Sequence, residues 1–180
     1  MVIMYLYHGT IASFNTVVLR NSKCMLDFGR GFYTTSDINQ ARDMVVSNKF
    51  KAIELNPNES VHAYVYGFKF DVSLNKYLRV LKFNGASMAW LDYVLYNRTH
   101  LERFKTKDDS YDVVVGLIAD ARAQRIIERF KTIGDFSVAA RKRLITELKV
   151  YTYTDQYVFK TTKSIAFLND VCVKTCKEVF

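Results

Sequence analysis

Three short segments of the chain carry the residue types that chemistry draws on. The first is Leu6-Tyr7-His8-Gly9-Thr10, where an imidazole follows an apolar run. An imidazole can exchange a proton near neutrality or hold a hydroxyl. The second is Asp27-Phe28-Gly29-Arg30-Gly31-Phe32-Tyr33-Thr34-Thr35-Ser36. Here the Arg30 guanidinium, a fork that matches phosphate oxygens, stands between two glycines, and the Tyr33 ring offers a face to a planar cation. The third is Asp155-Gln156-Tyr157-Val158-Phe159, where the Gln156 amide both donates and accepts hydrogen bonds. Singly, each has an ordinary explanation: a structural histidine after a strand, a core tyrosine, a surface glutamine at a strand start. The two usual phosphate-cradling signatures, GxGxxG after a strand and GxxxxGK[ST], are absent.

Taken together and in order, the three blocks resemble the ADP-ribosyltransferase superfamily, on the side of diphtheria toxin and the poly(ADP-ribose) polymerases. That side is defined by a His-Tyr-Glu triad spread over the whole chain. Its histidine stands in a Tyr-His-Gly-Thr context in diphtheria toxin, as residues 7–10 do here. Its tyrosine stands in a Gly-[Phe/Ile]-Tyr context, matched by Gly31-Phe32-Tyr33. Its third residue opens a strand of the type Glu-Tyr-apolar-apolar, matched by Gln156-Tyr157-Val158-Phe159 with glutamine for glutamate. The chain also looks like bacterial proteins with Asp-Phe-Gly-x-Gly-Phe-Tyr-x-Thr and a late Asp-Gln-Tyr, thought to belong to toxin–antitoxin pairs.

The resemblance implies an NAD⁺ site with His8, Tyr33 and Gln156 as its catalytic set. His8 would hold a ribose hydroxyl, and the Gly9 backbone would pair with the nicotinamide amide. Thr10, Arg30 and Gly31 would complete the cofactor contacts, with Arg30 toward the phosphates. Met44, eleven residues after Tyr33, stands where many active members carry a second aromatic against the nicotinamide. Cleaving the glycosidic bond builds positive charge on the ribose, which a carboxylate would balance in full and Gln156 only as a dipole. The arginine-modifying branch needs [Gln/Glu]-x-Glu on the last strand. Thr154 and Gln156 occupy those positions, so arginine is not the expected acceptor. Without the glutamate that marks chain elongation, mono- rather than poly-ADP-ribosylation is expected.

The elements that must position these residues follow from periodicity. Residues 2–8 read as a buried strand, 12–30 as irregular with a turn at Asn21-Ser22-Lys23, and 32–35 as a short strand. Asp37 caps a helix with Gln40 as its capping-box partner, and Ile38, Ala41, Met44 and Val45 form its apolar face. Strands are expected at 61–72, 77–83 and 156–160, and a central one over the β-branched run 111–118. Ser87 caps a helix running to about Phe104, further helices span 119–131, 137–151 and 164–169, and the tail from Val171 forms an edge strand. This order predicts one α+β domain over residues 1–180. Its sheet should be curved, mostly antiparallel and split, with flanking helices, as in the ADP-ribosyltransferases.

Composition narrows the setting. A net charge of +8 suits either an anionic partner or a merely basic surface. Arg122, Arg125, Arg129 and Lys131 on one helix, and Arg141, Lys142 and Arg143 on the next, could track a phosphate backbone or form a solvated face. Asn97-Arg98 is a cap or a cleft wall, and Asp112 and Asp120 orient either a helix or a ligand. Three cysteines in a chain of this size point to reduced thiols in a cytoplasm. Cys172 and Cys176 lack further ligands nearby, so no metal is expected. No stretch is apolar enough to span a bilayer, so no membrane partner is expected, and the first residues read as a strand rather than a signal peptide. The expected partners are NAD⁺, a protein or nucleic-acid acceptor and a small antitoxin. Two other classes stay open: a catalytically silent module that binds NAD⁺ or ADP-ribose, and a basic nucleic-acid-binding protein with a vestigial site.

Overall fold

The structure is a computed structural model describing residues 2–19, 26–105, 110–117, 121–149 and 154–175. In chain order its elements are β1 (Ile3–Thr10), β2 (Phe32–Thr35), α1 (Ile38–Leu55), β3 (Tyr64–Asp71), β4 (Val80–Lys82), α2 (Met88–Thr99), β5 (Val113–Leu117), α3 (Ala121–Ile133), α4 (Val138–Leu148), β6 (Asp155–Phe159), α5 (Thr162–Ile165) and β7 (Asn169–Thr175). The turn expected at residues 21–23 lies outside the described residues, as do Asp120 and Cys176.

The strands form one mixed sheet in the order β4-β5-β6-β2-β1-β3-β7. Among the described residues only β4 and β5 run parallel, because α2 carries the chain across between them, as a parallel pair requires. The other neighbours are antiparallel. The protein is thus α+β with flanking helices, as its alternation of elements implied. β1 and β3 pair along their whole length, from Ile3–Asp71 to Thr10–Tyr64. β1 and β2, by contrast, register only at Tyr7–Thr35.

Period-two alternation gives the sheet two apolar faces. On one, Leu6, Phe70, Val113, Val115 and Phe159 pack with Ile165, Phe167 and Leu168. On the other, Val114 and Val158 lie beneath α2, α3 and α4, whose core includes Phe28, Trp90, Tyr93 and Ile127. α1 covers the same face further along, with Ala41 and Val45 against Val65.

Several expectations are corrected. The strand expected at 77–83 shrinks to β4, because Asp71 caps a 3-10 turn over Val72–Tyr77. α2 begins at its Ser87 cap but stops at Thr99, where His100 takes a left-handed conformation with φ 55°. β5 is buried as its β-branched run implies, but it stands second from the sheet edge. Met44 is 51% exposed and off the buried face of α1. Asp37 caps α1 through the Asn39 amide, yet Gln40 closes no capping box. The Asp37 N–H goes instead to the Thr35 hydroxyl, and Gln40 turns toward the sheet.

Candidate functional site

The sheet order places β6, β2 and β1 side by side, so the three sequence blocks meet on three neighbouring strands. Thr35 registers with both Tyr7 and Gln156, Tyr33 with Val158, and Gly116 with Gln156. Residues opposite each other in an antiparallel pair share a face. Tyr33, Thr35, Gln156 and, by alternation from Tyr7, Gly9 therefore look to the helix-bearing side. His8 alternates to the other face, with its ring 4.5 Å from that of Phe32 and 6.0 Å from that of Phe14.

His8 nonetheless reaches across the seam. Its Nδ1 lies 2.7 Å from the Tyr33 carbonyl oxygen, just past the one rung that joins β1 to β2. A carbonyl only accepts, so Nδ1 carries the proton and Nε2 is left as an acceptor. Burial lowers the pKa of the imidazole and outweighs the opposing bond to Tyr33. The ring is therefore neutral at ordinary pH, suited to accept from a hydroxyl and unsuited to supply a charge.

Tyr33 is held by its hydroxyl, which donates to the Gly29 carbonyl at 2.6 Å and accepts the Phe28 N–H at 3.1 Å. These bonds curl residues 28–33 into a closed loop, and the half-buried Tyr33 ring packs against the helix-side core. The loop is pinned to the end of α2. Asp27 and Arg98 form a buried ion pair at 2.5 Å, and the Asn97 side chain fills the space a Cβ on Gly29 would need. Asn97 and Arg98 are thus anchors of the Asp27–Ser36 block rather than a helix cap.

The two glycines of the expected cofactor set have structural reasons of their own. A Cβ on Gly9 would lie 2.0 Å from the Ala41 carbonyl oxygen, so α1 packs directly on β1 there. A Cβ on Gly31 would lie 2.4 Å from a Val158 methyl, so β6 needs that glycine too. Close helix and strand approach, rather than room for a carboxamide, explains both. Thr10 is half-buried at the end of β1, and its hydroxyl accepts the Ala12 N–H at 3.1 Å. Arg30 is exposed at the bend of the loop.

Gln156 is 5% exposed, against the surface position its strand start suggested. Its Nε2 lies a long 3.4 Å from the Leu117 carbonyl, which also accepts the Trp90 indole N–H at 3.3 Å. That carbonyl orients the amide, with nitrogen toward Leu117 and oxygen as the remaining acceptor. Two residues missed in the sequence stand beside it. Thr35 and Thr154 both direct their hydroxyls to the Gln40 side-chain oxygen, at 2.6 and 2.5 Å. Thr35 reads as a β-former in a short strand, Gln40 as a capping residue and Thr154 only as the first position of the absent [Gln/Glu]-x-Glu pair, so nothing in the sequence joined the three.

The family described as "Protein of unknown function (DUF3990)" matches residues 4–169, a span that holds all three blocks. The chain belongs to that family. No curated protein and no solved structure matches it.

The remaining candidates resolve as follows. Asp112 accepts the Arg79 N–H at 2.9 Å and the Thr161 hydroxyl at 2.7 Å. Burial alone would raise its pKa, but these bonds and Lys163 outweigh that and hold it low, so it ties loops together. Three of the seven basic residues on the helix pair are matched by carboxylates: Arg129 pairs with Glu147, Lys131 with Glu128 and Arg141 with Asp92. Arg125, Lys142 and Arg143 are exposed, while the side chains of Arg122 and Cys172 lie outside what the structure describes. Among the described residues, no group of three His, Cys, Asp or Glu side chains is placed to hold a metal, and no helix is long and apolar enough to cross a membrane.

Proposed function

We propose that this chain is an NAD⁺-dependent mono-ADP-ribosyltransferase whose site lies along the seam of β1, β2 and β6. The observation that carries the reading is the convergence of His8, Tyr33 and Gln156 on three adjacent strands. The single rung between β1 and β2 supports the finer reading of a split, ADP-ribosyltransferase-like sheet, since a sheet that opens there gives a ligand an edge to enter. The Tyr33 ring seats the cationic nicotinamide, the neutral His8 accepts from a ribose hydroxyl, and the Gln156 oxygen accepts from another. The bond from ribose C1′ to the nicotinamide nitrogen breaks, and nicotinamide leaves with the electron pair. A nucleophile of the acceptor bonds to C1′ and loses its proton. We read the acceptor as an intracellular protein or nucleic acid, and the chain as the toxin of a bacterial toxin–antitoxin pair working in the cytoplasm.

Two measurements test this. NAD⁺ at about one hundred times its Kd should add roughly 2.7 kcal/mol to the native state, a melting shift of several degrees. Labelled NAD⁺ incubated with the protein and a cell lysate should then leave label on protein, RNA or DNA. No shift at millimolar NAD⁺ refutes the reading. A second reading, a silent NAD⁺ or ADP-ribose module, is favoured by one observation: Gln156 is neutral and its nitrogen is turned to Leu117. Nicotinamide release separates the two.

A further inference from the structure

Gln40 is a half-buried amide on the first turn of α1, and its position is set by the strands beneath it. Thr35 is the rung partner of Gln156, and Thr154 precedes Gln156 by two residues, just before β6 begins. The Gln40 oxygen lies within hydrogen-bond reach of both hydroxyls, which brings its amide head over the Gln156 rung. The direction of these bonds can be worked out. The Thr35 oxygen already accepts the Asp37 N–H at 3.1 Å, so its own proton is free to go to Gln40. Two hydroxyl protons thus fix the Gln40 carbonyl toward the strands and turn its NH₂ away from them. Among the described residues that NH₂ has no protein partner. Gln156 is oriented the opposite way, nitrogen tied to Leu117 and oxygen presented. One amide therefore offers a donor beside another that offers an acceptor.

We propose that Gln40 is a ligand-contacting residue of the same site, and that Gln40 and Gln156 together read the two neighbouring hydroxyls of a ribose. Gln156 accepts from one hydroxyl, and Gln40 donates to the oxygen of the other. Adjacent ribose hydroxyls are each donor and acceptor, so a donor–acceptor pair of side chains matches them without leaving a polar atom unmet. This rests on the reading of the site as one for NAD⁺.

The test uses the intact protein and calorimetric titration with NAD⁺ and with two analogues lacking the 2′- or the 3′-hydroxyl of the nicotinamide ribose. Each analogue should bind the native protein about three- to tenfold more weakly than NAD⁺, the effect of one net hydrogen bond. Gln40→Glu keeps an oxygen for both threonine hydroxyls but removes the donor. With it, and with Gln40→Leu, the penalty for one analogue should vanish while the other persists. Gln156→Ala should show the reverse pattern. Thr154→Val removes one of the two holders and leaves the amide, so it should shrink the Gln40-dependent penalty without abolishing it. That variant keeps the test available if neither Gln40 variant folds. Native binding of NAD⁺ with both penalties unchanged in the Gln40 variants, or in Thr154→Val where those do not fold, overturns the role of Gln40 and spares the site. No NAD⁺ binding by the native protein overturns both.

Discussion

Replacing Gln156 by glutamate should raise chemistry and lower stability at once, and the structure indicates how much of each. The introduced carboxylate would supply the full charge that a developing ribose cation lacks here. One well-placed electrostatic group is worth on the order of 3–4 kcal/mol, a hundredfold or more in rate. Against this, position 156 is 5% exposed and its nitrogen faces the Leu117 carbonyl at 3.4 Å. A carboxylate there loses that bond and sets oxygen against oxygen, a cost of about 1–3 kcal/mol. Burial and the facing carbonyl both raise the pKa of the new group above that of the unfolded chain. The sign follows: the native state holds its proton longer, so stability of the variant should fall as pH rises from about 4.3, the ordinary glutamate value, through the raised pKa. The rate gain should appear over the same rise, because only the ionised form supplies charge. Single-turnover nicotinamide release, measured across pH for the native protein, Gln156→Glu and Gln156→Ala, reads all of this. The native protein should release nicotinamide slowly, the glutamate variant faster with increasing pH, and the alanine variant slowest. An alanine variant equal to the native protein would show that Gln156 is outside the site. Release by the glutamate variant alone would make the native chain a silent module.

Three further outcomes are expected. Because burial lowers the pKa of His8, protonation should weaken both fold and ligand binding: the neutral-ring stability is complete above about pH 6.5, the unfolded value, and is lost as pH falls through the folded pKa. An NAD⁺ affinity, measured by titration, that does not drop on that acid side would remove Nε2 from the site. Gly9→Ala should destabilise by about 3 kcal/mol, the upper end for overpacking, because the added methyl meets helix backbone at 2.0 Å. Urea unfolding with an unchanged midpoint would refute that packing. Asp27→Ala should cost about 1–3 kcal/mol, because the buried Arg98 keeps only its longer 3.4 Å contact to exposed Glu128, and should weaken NAD⁺ binding through the loosened Tyr33 loop. Unchanged urea stability would show the pair to be dispensable.

The elements were legible where one local rule decided them. β2, β6 and β1 announced themselves as short apolar or β-branched runs beside breakers, and the Ser87 and Asp37 caps fell where a short polar side chain precedes a helical stripe. What misled was competition between partners for the same group. Asp37 and Gln40 have capping-box spacing, but Thr35 takes the Asp37 N–H and draws Gln40 to the strands. The α2 stripe runs on to Leu101 in the sequence, yet the backbone turns left-handed at His100. The same holds for the site. Residue types marked His8, Tyr33 and Gln156, but no spacing shows that Gly9 seats α1 or that Arg98 buries against Asp27, because those contacts span helices and strands far apart in the chain.

Strand geometry adds a constraint that residue types do not carry. Tyr33 and Gln156 share one face of the sheet, whereas His8 alternates to the other and is tied to the Tyr33 carbonyl. A small ligand lying on one face alone would reach either Tyr33 and Gln156 or only His8. A ligand that touches all three must lie across the seam where β1 leaves β2, with its ends on opposite sides. A dinucleotide, long and bent at its pyrophosphate, has that shape, and a single nucleoside does not. On this geometry the His8 end and the Gln156 end should be separable. ADP-ribose should bind and feel His8→Ala, while nicotinamide mononucleotide should feel Gln156→Ala and ignore His8. Equal sensitivity of both fragments to both variants would mean that the three side chains close on one pocket and that the seam is not the path of the ligand.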